Sequence, residues 1–189
     1  MAQDFPLPDD LPEPEDDGAA DHLPGLDVPA VSLPATDGRA VDLSALPGTV
    51  VVYAYPKTGR PDADVIPEGW AEIPGARGCT PEACGFRDHY QELRDAGAAD
   101  VFGLSLQTTD YQREARDRLE LPFEFLSDAD GELTRALDLP TFTVEGETFL
   151  ERLTLVLTDG AVEHVFYPVF PPDEHASEVR DWLAARRSA

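Results

Sequence analysis

The spacing of apolar residues predicts strands and helices that alternate along the chain. Residues 50–55 form a continuous apolar run, which is typical of a strand buried on both faces. Residues 28–43 before it predict a short hairpin that turns at Asp37-Gly38. The later predicted elements are a helix from Thr80-Pro81 to Gly97, strands at 101–106 and 123–126, helices at 111–119 and 131–137, a hairpin of 153–157 with 162–166, and a helix at 173–187.

This order of elements predicts an α/β protein with a thioredoxin-like fold, in which helices flank a central mixed β-sheet and a β-hairpin precedes it. One domain is expected over residues 23–189, because 189 residues suffice for one packed core and not for two ordinary ones. Residues 1–22 mix acidic side chains with prolines, so we expect a disordered acidic arm there. The stretch from Lys57 to Gly78 is rich in Gly and Pro and predicts no regular element.

The charge of the chain excludes two classes of partner. The sequence has 38 acidic and 14 basic residues, a net charge of −24, and its one lysine is Lys57. Such a charge repels nucleic acid and anionic membranes, so neither is expected as a partner. No apolar run is long enough to span a membrane, and the first residues lack a secretory apolar core. The expected location is therefore the cytoplasm.

The start of the predicted helix carries the candidate chemistry. Thr80 suits the N-cap and Pro81 the first helical position, which places Cys79 beside unpaired backbone N–H groups. Those groups favour a thiolate, the reactive form of cysteine, by about 0.3 to 1 kcal/mol. An ordinary thiol is only about 3% ionised at pH 7, so the site needs a cation as well. The arginines that can supply it are Arg77, Arg87 and, through the fold, Arg152.

The two cysteines, Cys79 and Cys84, are five residues apart. On a regular helix that spacing separates their Cα atoms by roughly 8.7 Å, and a disulfide tolerates at most about 7 Å. A bridge between them therefore requires the first helical turn to unwind, as suits a reversible catalytic disulfide. No metal site is expected, because Cys79, Cys84 and His89 point about 140° apart on one helix. A hydrolase of the Cys-His type would need His164 beside Cys79.

At these residues the sequence resembles the peroxiredoxins, and most closely the bacterioferritin comigratory protein branch. The matching segments are Tyr55-Pro56-Lys57, the run from Gly78 to Asp88, residues 126–131 and residues 152–160. The resemblance implies that Cys79 is the peroxidatic cysteine, Cys84 the resolving cysteine and Arg152 the arginine that holds thiolate and peroxide. It also implies that Glu82 occupies the acidic or amide position that follows the cysteine.

One part of the family pattern is missing. Three residues before the cysteine the family has Thr or Ser, whose hydroxyl helps to bind the peroxide, and here Ala76 stands in that place. Glu72 stands where the family has proline, and about twenty residues, 58–78, are inserted before the cysteine. We expect Pro56 and Thr58 to supply the proline and hydroxyl by folding back, with Trp70 and Ile73 over the site.

The expected function is a thiol peroxidase that reduces hydrogen peroxide and organic hydroperoxides without a bound cofactor. Thioredoxin or a similar dithiol is the expected reductant, and a monomer or weak homodimer the expected assembly. The alternative is a thioredoxin-like thiol-disulfide oxidoreductase without peroxidase activity, although its Cys-x-x-Cys motif is absent. A redox-inactive binding protein on the same fold is a third possibility.

Overall fold

The computed structural model describes residues 5–62 and 66–189. Within them the strands are β1 (Ser32–Pro34), β2 (Ala40–Asp42), β3 (Thr49–Ala54), β4 (Ala98–Ser105), β5 (Glu124–Ser127), β6 (Thr141–Val144), β7 (Glu147–Leu150), β8 (Leu153–Thr158) and β9 (Ala161–Phe166). The helices are α1 (Cys79–Asp88), α2 (Tyr90–Asp95), α3 (Thr109–Arg118), α4 (Glu132–Leu137) and α5 (His175–Arg187), with short 3-10 turns at Leu43–Ala45 and Trp70–Glu72.

The central sheet has five strands in the order β5-β4-β3-β8-β9. Strand β3 pairs in parallel with β4 and antiparallel with β8, so the sheet is mixed. All six residues of β3 are buried, because this strand lies in the middle with packed layers on both faces. The central sheet, the flanking helices and the β1-β2 hairpin confirm the predicted thioredoxin-like α/β fold.

Alternate residues of β3 face two different cores. Val50, Val52 and Ala54 pack on the side of the β1-β2 hairpin and α4, whereas Val51 and Tyr53 pack on the other side. This second core contains the inward faces of α1, α2 and α5, and both cysteines belong to it. The pleat of one strand therefore separates a structural layer from the layer that carries the cysteines.

Three details of the predicted elements were wrong. The helix predicted up to Gly97 breaks at His89 into α1 and α2. The N-cap is Gly78 rather than Thr80, since the helix already begins at Cys79, and Pro81 lies third in the helix. Proline fits there because the first N–H groups of a helix have no intrahelical partner.

A second small hairpin, β6-β7, was not predicted from the sequence. It turns at Glu145-Gly146, where both residues have positive φ, 51° and 82°. Positive φ at both central positions is typical of a two-residue hairpin turn, but glutamate is not a usual residue there. The turn therefore lacked the Asn-Gly or Asp-Gly signal on which the other hairpins were predicted.

Residues 5–22 contain no helix or strand and lie against the domain. The Tyr167 hydroxyl donates to Asp17 Oδ1 at 2.9 Å, His22 Nε2 lies 2.9 Å from the carbonyl of Leu137, and Phe5 packs on the core that contains the cysteines. That residues 1–22 form a disordered arm separate from a 23–189 domain stays a prediction, and residues 1–4 lie outside the described residues. We call residues 5–22 the arm.

Candidate active site

Gly78 sets the position of Cys79. Its φ of +104° lies in the left-handed region that favours glycine, and it turns the chain from the irregular loop into α1. A Cβ at this position would lie 2.5 Å from Pro172 and 3.3 Å from Leu7, so only glycine fits. Cys79 follows as the first residue of the helix and is 5% exposed. Its thiol donates to the carbonyl of Ala76 at 3.8 Å.

Arg152 is the residue just before β8, and its side chain reaches Cys79. Its Nη2 donates to Cys79 Sγ at 3.1 Å and to the carbonyls of Gly75 and Arg77 at 3.1 and 3.2 Å. Its Nη1 donates to Glu82 Oε2. The side chains of Arg152 and Glu82 are 2% and 0% exposed, so the two form a fully buried ion pair. Arg152, which is about 70 residues away in the chain, is thus brought into contact with Cys79 and Glu82 on the first turn of α1.

Burial and charge act against each other on the Cys79 thiol. Burial raises its pKa above the usual value, the Arg152 guanidinium lowers it, and the Glu82 carboxylate raises it again. The backbone N–H of Lys57 also lowers the pKa of the Cys79 thiol and so favours the thiolate. Burial likewise raises the pKa of Glu82, while Arg152 and then His175 oppose that rise. Burial alone would lower the pKa of Arg152, but Cys79 and Glu82 raise it above its usual value. The guanidinium therefore stays charged.

Pro56 and Thr58 lie on the loop that follows β3, and both are buried. The backbone N–H and the hydroxyl of Thr58 both donate to Gln107 Oε1, at 3.1 and 3.2 Å. Gln107 Nε2 donates back to the carbonyl of Thr58 at 3.1 Å. Since the neighbouring Lys57 amide lowers the pKa of the Cys79 thiol, this loop lies near the cysteine despite the long insertion.

The middle of the insertion packs on a small core of its own. Trp70 contacts Phe142 and Phe149 of the β6-β7 hairpin, with ring centroids 5.7 and 5.0 Å apart. Ala76 is buried in the same cluster. Ile73 lies at the edge of this cluster and lines a cavity beside Arg152. Trp70 thus fastens the insertion to the hairpin, and the expectation that Trp70 and Ile73 cover the site stays a prediction. Residues 63–65 of the insertion lie outside the described residues.

Cys84 lies two residues beyond Glu82 on α1, slightly more than half a turn, and is 7% exposed. Burial raises the pKa of its thiol, Arg87 lowers it and Asp88 raises it. Both cysteines are free thiols. Because both are helical, their Cα atoms stand roughly 8.7 Å apart, beyond disulfide distance.

Sequence reasoning missed two supporting side chains. Gln107 follows β4, and the carboxyl ends of β3 and β4 lie side by side because the two strands are parallel. The strand order alone would therefore have placed Gln107 near the loop that follows β3. His175 is 1% exposed, its Nε2 lies 2.7 Å from Thr154 Oγ1, and its Nδ1 lies 3.0 Å from Glu178 Oε2. Nothing in the sequence marks His175, because its place beside α1 depends on how α5 packs.

In residues 5–62 and 66–189, no three His, Cys, Asp or Glu side chains group closely enough to hold a metal ion. None of the helices in this part of the chain is long and apolar enough to cross a membrane.

A buried thiol beside a buried arginine, at the start of a helix on a thioredoxin-like sheet, defines a thioredoxin-fold thiol protein. The family model described as Redoxin matches residues 23–183. Peroxiredoxin Bcp of Escherichia coli is 32% identical over 160 residues, which cover 82% of this chain and 91% of that protein. The chain belongs to the peroxiredoxin family, in its Bcp and peroxiredoxin Q branch.

Two further likenesses agree with this. Chloroplastic peroxiredoxin Q of rice is 35% identical over 156 residues, 82% of this chain and 63% of that protein, so this chain spans under two thirds of its length. A solved structure of the Xanthomonas campestris bacterioferritin comigratory protein, studied for alkyl peroxide reduction, has a TM-score of 0.67 and 26% identity. The match covers 85% of this chain and 97% of that one. These relatives do not favour the alternative of a disulfide oxidoreductase without peroxidase activity.

Proposed function

We propose that this protein is a thiol-dependent peroxidase in which Cys79 is the peroxidatic cysteine, Cys84 the resolving cysteine and Arg152 the residue that holds the peroxide. The observation that carries the proposal is the 3.1 Å contact between Arg152 Nη2 and Cys79 Sγ, inside a buried ion pair with Glu82. An arginine with a raised pKa, placed on the sulfur, stabilises the thiolate and the charge that develops on an attacked peroxide.

The first step transfers one oxygen atom. The Cys79 thiolate attacks the nearer peroxide oxygen, the O–O bond breaks, and the leaving oxygen takes a proton and departs as water or an alcohol. Cys79 is oxidised to a sulfenic acid and the peroxide is reduced. Arg152 Nε is buried without a hydrogen-bond partner among the described residues, so the guanidinium still has a donor available for a peroxide oxygen.

The second step forms a disulfide and the third removes it. The Cys84 thiol attacks the sulfenic sulfur of Cys79, water leaves, and the two sulfurs are joined. An external dithiol then reduces the bridge by thiol-disulfide exchange and becomes oxidised itself. We propose thioredoxin or a similar dithiol for this role, with no bound cofactor, in a monomer or weak homodimer in the cytoplasm.

Hydrogen peroxide and organic hydroperoxides are the proposed substrates. A cavity of about 320 Å³ lies beside Arg152. The apolar part of its wall includes Ile73, Phe142 and Val169, and the acidic residues Glu15, Asp17 and Glu151 also line it. Such a cavity is large enough for the organic part of a small hydroperoxide. The Xanthomonas relative studied for alkyl peroxide reduction supports this substrate class.

The first test measures hydrogen peroxide consumption by the reduced protein, with a thiol count and an intact mass afterwards. We expect rapid consumption, loss of both thiols and a mass decrease of two hydrogens. The Cys79→Ser variant should consume no peroxide above a thiol-free control protein, because the nucleophile is gone. Consumption that survives in Cys79→Ser contradicts the proposal.

Thr58 is proposed to supply the hydroxyl that is missing at Ala76, with Pro56 shaping the same loop. The support is that the backbone amide of Lys57, the residue before Thr58, lowers the pKa of the Cys79 thiol. Thr58→Val should lower kcat/KM for hydrogen peroxide by up to about tenfold, the value of one hydrogen bond of ~1 kcal/mol or slightly more. Thr58→Ser keeps the hydroxyl and is the matched control. An equal loss of kcat/KM in both variants would contradict a role for the Thr58 hydroxyl in peroxide binding.

A further inference from the structure

The arm covers the segment that leads into Cys79. Leu7 and Pro172 both lie next to Gly78: a Cβ there would be 3.3 Å from Leu7 Cδ2 and 2.5 Å from Pro172 Cγ. Phe5 packs against the same core as Cys79 and Cys84. The N-cap of α1 is therefore covered by the arm together with the loop before α5.

The contact continues along the arm. Leu11 and Pro12 lie over Gly75 and Arg77, whose backbone carbonyls hold Arg152. The space between these groups is only about 10 Å³, no more than one water needs. The arm thus packs closely on the residues immediately before Cys79 over a length of several residues.

The other cysteine is held differently. A Cβ at Gly85 would lie 3.0 Å from the backbone carbonyl oxygen of Asp173 and 3.7 Å from Cβ of Ala176. This close backbone approach fixes the turn that contains Cys84 against the start of α5. Gly78, by contrast, is approached by the side chains of Pro172 and Leu7 and not by backbone among its nearest atoms. We therefore take the Cys84 end of α1 as the end that stays in place when the disulfide forms, and the segment with Gly78 and Cys79 as the one that moves.

We propose that Leu7 is a positioning residue for the disulfide-forming step: the arm holds the first turn of α1 in its folded form, and it leaves its place when Cys79 bonds to Cys84. This inference rests on the proposed function. Because the arm binds the folded turn and not the unwound one, it must oppose unwinding, and unwinding must weaken its binding by the same factor. The step itself balances as sulfenic acid plus thiol giving disulfide plus water.

The kinetic test compares two steps in one protein. Stoichiometric peroxide is added to reduced protein, peroxide loss reports the first step, and alkylation quenching with mass measurement reports disulfide formation. Leu7→Ala should raise the ratio of the second rate to the first severalfold. Asp9→Ala, at an exposed arm residue, is the matched control and should leave the ratio unchanged. An unchanged or lowered ratio in Leu7→Ala overturns the inference.

The second test follows the arm itself by proteolysis. A protease that cuts at aspartate should act at Asp9 and Asp10 at least tenfold faster in the disulfide form than in the reduced form. Cys84→Ser treated with peroxide forms no bridge, so its arm should be cut as slowly as that of the reduced protein. Equal cleavage of the reduced and disulfide forms overturns the inference while leaving the peroxidase proposal intact. Absence of any disulfide in the wild-type protein overturns the proposed function itself.

Discussion

The two halves of α1 are held by different kinds of contact. The first half carries Cys79 and Glu82, which both contact the buried Arg152, and it is preceded by Gly78, which lies beside the arm residue Leu7. The second half carries Phe86, whose ring stacks on Tyr53 with centroids 4.3 Å apart and planes 4° apart. Polar contacts and a peripheral segment hold the reactive end, while core packing holds the other. One helix thus combines an end that can unwind with an end that stays in place.

The largest expected effect of a substitution that tests this comparison comes from Arg152→Ala. It removes the hydrogen-bond donor and the positive charge at Cys79, so kcat/KM for hydrogen peroxide should fall about 10²- to 10³-fold. Arg87→Ala is the matched control, because Arg87 acts on the Cys84 thiol and bonds to the carbonyl of Leu119. Stopped-flow peroxide consumption measures both. Similar losses of kcat/KM in the two variants would show that the two ends of α1 do not differ in their contribution to the peroxide reaction.

A smaller effect is expected from Glu82→Gln. The carboxylate raises the pKa of the Cys79 thiol, so the neutral amide should lower that pKa and move the midpoint of the pH–rate profile to lower pH. Thiolate absorbance near neutral and alkaline pH follows the same titration. Asp88→Asn is the control, since Asp88 raises the pKa of Cys84 and is not a cause of the Cys79 shift. A Cys79 midpoint that stays in place or moves upward in Glu82→Gln contradicts the assignment.

The smallest effect on the first step should come from Cys84→Ser. Its oxygen transfer to Cys79 should match the wild-type rate within about twofold, because the hydrogen-bond partners of the Cys79 sulfur and of Arg152 among the described residues do not include Cys84, and serine is close to cysteine in size. Turnover with a dithiol reductant should nevertheless stop, and a sulfenic acid should accumulate, detectable by a specific carbon nucleophile and mass. A large loss already in the first step would place Cys84 in the peroxide site.

The sequence allowed a good prediction of the elements and of Cys79 as the central residue. The apolar run at 50–55 and the turn residues at Asp159-Gly160 are local signals, and the structure confirms the strand and the hairpin they predict. The start of α1 was predicted two residues late, because Thr80-Pro81 is a strong local signal for a helix start. The observed N-cap is Gly78, which has positive φ and lies next to Pro172, a residue distant in sequence.

The surroundings of Cys79 were less accessible to sequence reasoning. Arg152 was identified through the family resemblance, since its 3.1 Å contact with the sulfur depends on β8 lying beside β3. The positions of three further features depend on packing between elements that are distant in the chain: Gln107, His175 and the arm. Composition predicted the arm as an isolated acidic segment, because the spaced apolar residues Phe5, Leu7 and Leu11 give no periodic signal.

The packing of Trp70 gives the protein a built-in optical reporter. Trp70 lies in the cluster that contains Ala76, three residues before Cys79, while the other tryptophan, Trp182, stacks on His164 with centroids 4.5 Å apart. Movement of the segment before Cys79 alters the environment of the first indole and leaves the second as an internal reference. Emission from a single protein sample can therefore follow the redox cycle in real time, without an attached dye.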